Sequence, residues 1–120
     1  MDTLIVIAAA VFFLGMGILA LARPAGLVAP FGISLGGPDA RLEVCAVYGG
    51  FGVAVAALLG VAAADPAAHA GVLLAVAVAL LGMAGGRLVG RLRDRPGAFY
   101  PVWLYFWVEV AAGGLLLLAR

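Results

Sequence analysis

Charge is so sparse along this chain that it leaves four long runs without any, or with one, and these constrain the fold more than any other feature. Twenty uncharged residues, Thr3 to Ala22, separate Asp2 from Arg23. Twenty-one, Val44 to Ala64, separate Glu43 from Asp65, and another 21, Pro66 to Gly86, precede Arg87. The last run, Pro101 to Ala119, has 19 residues and is interrupted once, by Glu109. A hydrocarbon layer about 30 Å thick takes about 20 helical residues at 1.5 Å each. The spacing therefore predicts four membrane-crossing helices, over about residues 3–22, 42–64, 66–91 and 100–119. Membrane β-strands would instead show segments of about ten residues alternating in polarity, and these runs are apolar on every face.

Composition agrees. Of the 120 residues 67% are hydrophobic and 11% charged, with a mean hydropathy of +1.24. Soluble domains are about a quarter charged, so too few charges are present to cover a water-soluble globule. The expected fold is all-α, a single antiparallel bundle of four transmembrane helices forming one domain over 1–120. Its expected partner is the lipid bilayer, with a homo-oligomer or a larger membrane complex as further options. Nucleic acid is not expected: the net charge is +1 and the chain has no lysine. Cys45 is the only cysteine, which excludes an internal disulfide and a dithiol enzyme.

Local signals mark the helix ends. Asp65 before Pro66 puts a capping carboxylate ahead of a proline at the first helical position, and Asp39 is expected to cap the second helix likewise. Pro101 is expected to open the fourth helix, and Pro96-Gly97 to break the chain before it. The first run follows Met1-Asp2-Thr3, which lacks the basic residue of a cleavable leader, so it reads as a span. With four spans, the connections carrying Arg23, Arg41, Arg87, Arg91, Arg93 and Arg95 share one side, and only Arg120 falls on the other. The positive-inside rule then predicts a multi-pass protein of the bacterial inner membrane, arginine-bearing loops cytoplasmic and both termini outside. The 23–42 connection is rich in proline and glycine yet carries Leu27, Val28, Phe31, Ile33 and Leu35, so it is expected in the interface or folded back between helices. Gly82, Gly86 and Gly90 form two G-x-x-x-G steps suited to close helix packing within the chain or between copies, and Gly49, Gly52, Ala56 and Gly60 form another small ridge.

Glu109 is the residue hardest to account for. It lies eight residues after Pro101, about 12 Å along the helix, where a charge costs about 2.5–3.5 kcal/mol on insertion scales. Arg87 is its expected ionic partner, with Glu43 competing for the same guanidinium and Tyr105 offering a hydroxyl one turn away. Tyr48, five residues after Glu43, is expected to look into a different contact. Trp103, Phe106 and Trp107 cluster near Glu109 and are the candidate lining of a pocket. The residues singled out for a ligand or proton site are thus Glu109, Arg87, Glu43, Tyr105 and Tyr48.

No cofactor or metal is expected: His69 is the only histidine, so paired histidine ligation of haem is impossible, and no ligand cluster suits a metal. Nothing marks a catalytic constellation. The leading expectation is a non-enzymatic accessory or scaffold protein in which Glu43, Arg87 and Glu109 clamp three helices. The alternative is a small transporter or binder of a proton or an amphipathic ligand (quinone, lipid or organic cation) centred on Glu109. A filled interior would favour the clamp and a cavity at Glu109 the binder.

The string Glu43-Val44-Cys45-Ala46-Val47-Tyr48-Gly49-Gly50, then Gly86-Arg87, then Glu109, resembles a family of small bacterial membrane proteins of unknown function. In size and plan it is similar to the DoxX-like four-helix proteins. The resemblance implies that Glu43, Tyr48, Arg87 and Glu109 are shared polar positions, and the DoxX-like plan implies an accessory place beside membrane oxidoreductases. Small multidrug exporters share the length and span count, but carry their intramembrane glutamate in the first helix, which here has no charge.

Overall fold

A computed structural model describes all 120 residues; its regular structure is all helical, with no strand. Helix α1 spans Asp2–Ala22; a short α2, Pro24–Val28, runs into a 3-10 turn, Ala29–Phe31. Helix α3, Pro38–Val44, continues through a π-helical stretch, Cys45–Gly50, into α4, Phe51–Ala64. Helix α5 covers Pro66–Gly90 and α6 covers Val102–Ala119. Four continuous helices, Asp2–Ala22, Pro38–Ala64, Pro66–Gly90 and Val102–Ala119, are long and apolar enough to cross a membrane.

The caps follow the proline and aspartate signals with one correction. The Asp65 carboxylate accepts from the Ala67 amide at 2.9 Å, with Pro66 opening α5. Pro101 is the residue before α6. Asp39 does not cap: the helix begins one residue earlier, at Pro38, with Gly37 before it, so Asp39 lies inside the first turn. That start also lengthens the second helix beyond the expected 42–64.

Successive long helices pack side by side: α1 on α4, α4 on α5, α5 on α6, and α6 back on α1. Val6, Ala62, Leu73 and Ala119 share one core cluster, so the start of α1, the α4–α5 turn and the end of α6 gather at one end. Neighbouring helices are therefore antiparallel. His69 closes this end, its Nε2 2.8 Å from the Ala119 carbonyl oxygen and its Nδ1 3.2 Å from that of Ala62. At the opposite end Ala20, Val28 and Val44 form a second small cluster that pins α2 to α1 and α3.

Glycine sets the closest approach, though not the glycines of α5. A Cβ on Gly17 would stand 2.7 Å from the Val53 amide nitrogen, and one on Gly52 would stand 2.9 Å from the Phe13 carbonyl oxygen. Both distances are too short for any side chain, so α1 and α4 meet backbone to backbone. Cβ atoms on Gly82, Gly86 and Gly90 would meet nothing within 4 Å. That ridge faces outward and is not used in packing within the chain. Much of the apolar surface also faces outward, including Leu4, Val11 and Ile18 on α1 and Leu118 on α6.

Candidate functional site

Glu109 is the only charged residue in the core, 3% exposed. Its place follows from helix geometry: at about 100° per residue, Glu109 shares a face of α6 with Phe106, Gly113 and Leu116, all buried. From the antiparallel α5, Arg87 reaches it with a two-pronged bond. Nε–H donates to Oε1 at 2.9 Å and Nη2–H donates to Oε2 at 3.0 Å. This fork-to-fork geometry is the strongest a carboxylate and a guanidinium make. Arg87 lies about one turn inside the end of α5, and its flexible stem spans the difference in depth.

The pair stands at the polar end of a cavity of about 590 Å³. Four parts of the chain build its walls. From α1 come Phe12, Phe13 and Met16; from the 23–37 connection come Leu27, Val28, Phe31 and Ile33. Val47 and Tyr48 of the π-helical stretch and Phe51 of α4 form another side, and Leu80, Met83, Arg87, Tyr105 and Glu109 complete it. Phe31 is the key residue of the connection. Its ring lies 5.8 Å from Cζ of Arg87 and 5.6 Å from the ring of Tyr105, centroid to centroid. Phe31 thus brings the connection over the Arg87 end of the helices, against α5 and α6.

The expected site residues divide accordingly. Arg87, Glu109, Tyr48 and Tyr105 come together around one cavity. Glu43 does not join them: it is exposed and forms no ion pair, so Arg87 serves one carboxylate rather than two. Tyr105 makes no hydrogen bond to Glu109; its ring packs against that of Phe31 instead. Tyr48 and Glu43 part as expected: Glu43 is exposed, whereas Tyr48 faces the same cavity as Glu109. The π-helical stretch from Cys45 to Gly50 carries it there, with a wider turn than regular α-helical arithmetic assumes.

The expected aromatic lining needs correction as well. Trp103, Phe106 and Trp107 do not line the cavity. They stack edge to face on one another, Trp103 to Phe106 at 5.5 Å and Phe106 to Trp107 at 5.0 Å. Trp107 precedes Glu109 by two residues, about 200° round the helix, and its side chain points outward, 57% exposed. The aromatic walls come instead from Phe12, Phe13, Phe31 and Phe51, to which the sequence reading assigned no ligand role. Only the Phe12-Phe13 pair within an otherwise aliphatic first helix hinted at them.

An all-helical chain with four helices fit to cross a membrane, and one buried arginine–glutamate pair facing a largely apolar cavity, is the class that fold and site define. The chain belongs to the family described as a domain of unknown function, DUF4345, whose profile matches residues 1–120. No curated protein and no solved structure matches it.

Proposed function

We propose that this protein crosses a membrane four times and holds an amphipathic molecule in the cavity beside Arg87 and Glu109. The carrying observation is the cavity itself. A clamp between helices needs no space next to it, yet about 590 Å³ opens at the pair, within the roughly 300–1,000 Å³ of small-molecule sites. Fourteen of its 17 lining residues are hydrophobic, which suits an occupant that is mostly hydrocarbon with one polar end. The bidentate pair also ties α5 to α6, so a structural role accompanies binding and does not compete with it.

Lipid as the surrounding solvent accounts for the outward Leu4, Val11, Ile18 and Leu118, since a soluble monomer rarely exposes so much contiguous apolar surface. Six of the seven arginines gather at the end opposite the termini. This charge bias supports cytoplasmic placement of that end in a bacterial inner membrane, with both termini outside. A reporter fused within the 91–97 loop checks it: cytoplasmic activity is expected, and external protease access to the loop rejects the orientation.

Mass measurement of the intact protein released from mild detergent tests the binding role. An added mass corresponding to a lipid-soluble molecule is expected. It should disappear in Gly15→Phe, because Gly15 lines the cavity and a Cβ there meets nothing within 4 Å. A protein that carries no such molecule, and that takes up none when amphiphiles are supplied, returns the pair to a purely structural clamp.

A further inference from the structure

The donors left free around the ion pair identify the head group, on the reading above that the cavity is a ligand site. We infer that the occupant presents a neutral hydrogen-bond acceptor, a carbonyl oxygen, to Arg87, and that it is not a cation. Glu109 is 3% exposed, and its two oxygens already accept from Nε–H and Nη2–H of Arg87. Its carboxylate is thus nearly enclosed and already charge-paired, which leaves little of it to receive an ammonium group.

Arg87 is the reverse case. A guanidinium has five N–H donors, and the pair uses two of them. The Arg87 side chain is 22% exposed, against 4% for that of Glu109. No buried side-chain nitrogen or oxygen lacks a partner, so Nη1, which bonds to no protein group, is open to the cavity rather than orphaned. Tyr48 and Tyr105 line the same space, and neither hydroxyl is bonded within the protein. The polar end thus offers N–H and O–H donors, with the two hydroxyl oxygens and a nearly buried carboxylate as acceptors.

Charge separates a neutral acceptor from an anion. The bidentate carboxylate cancels the guanidinium charge, and a further full charge entering this apolar space would lose hydration without a free counter-ion. Shape supplies a tail. A narrower apolar groove of about 270 Å³ between α1 and α6 shares Phe12, Phe13 and Leu80 with the cavity, giving a hydrocarbon chain a path away from Arg87. A quinone ring and the ester of an acylglycerol both carry such a carbonyl on such a tail. Glu109 is then a positioning residue: it aims the guanidinium and neutralises it.

Equilibrium dialysis of the protein against four probes with ten-carbon chains tests this: a decyl-benzoquinone, monodecanoylglycerol, decyltrimethylammonium and decyl sulfate. A carbonyl probe is expected to bind about tenfold or more tightly than the ammonium, as a lost bond to a charged group implies. Whichever of the quinone and the ester binds tighter names the source, and either supports the inference. Tyr48→Phe, at a partly exposed side chain, should weaken the carbonyl probe about two- to tenfold and leave the ammonium unchanged. Glu109→Gln should shift selectivity toward decyl sulfate, a change that a merely structural glutamate would not produce. Ammonium binding as tight as the carbonyl probes, and blocked by Gly15→Phe, overturns the head-group assignment while leaving the ligand site standing. If Gly15→Phe displaces no probe, the site and the inference fall together.

Discussion

At the end that holds both termini, Leu59 and Leu73 are fully enclosed, and His69 ties the last turn of α4 to the last turn of α6. At the other end a cavity opens between α1 with the π-helical stretch on one side and α5 with α6 on the other, covered by a connection that holds only a short helix and a 3-10 turn. Both ends are made from the same alanine- and leucine-rich helices. What differs is the connection: one residue, Asp65, joins α4 to α5, whereas 15 residues join α1 to α3. A tight turn holds two helices in contact from their first residues. The long connection leaves its own two helices in contact, since a Cβ on Gly17 would stand 2.8 Å from the Gly49 carbonyl oxygen, and it lays Val28 and Phe31 along the cavity. The long connection thus supplies part of the cavity wall, which a one-residue turn could not do, and the ion pair marks its polar end.

The comparison breaks most readily at the pair. Arg87→Leu leaves a buried carboxylate without its partner and should cost about 3–5 kcal/mol, whereas Arg87→Leu with Glu109→Leu should recover most of it. Unfolding in mixed detergent micelles measures both, and a double variant as unstable as the single one would mean the pair holds the helices directly. At the closed end, Leu73→Ala should cost about 2–5 kcal/mol, because no neighbouring space lets the core collapse.

Smaller effects sharpen the contrast between glycines and between walls. Gly17→Val should cost about 1–3 kcal/mol or more by forcing α1 from α4. Gly86→Val, in open surroundings, should leave the stability of the single chain unchanged; a loss confined to a larger assembly would reveal a contact between copies. Leu19→Ala, on the cavity wall and 42% exposed, should stay within about 0.5 kcal/mol, far below Leu73→Ala. Equal losses at Leu19 and Leu73 would show that the cavity end is packed as tightly as the other.

Spacing of charges along the chain was enough to read the four long helices, the Asp65-Pro66 start of α5 and the pairing of Arg87 with Glu109. Each depends on a one-dimensional quantity: run length, local capping chemistry, or depth counted from a helix end. The Asp39 cap, the role of Glu43 and the Trp103-Phe106-Trp107 lining were misread, because each depends on which way a helix is turned toward its neighbours.

The sequence by itself determined an apolar helical chain whose deepest carboxylate needs an arginine, since burying a lone charge is too costly to be left to chance. Only the tertiary structure decided that the pair faces a cavity, and that Phe12, Phe13, Phe31 and Tyr48 wall it. Helix rotation, the π-helical widening at Tyr48 and the fold-back of the 23–37 connection are set by packing among distant segments. Hydropathy nearly uniform around each helix carries almost no information about which face turns inward.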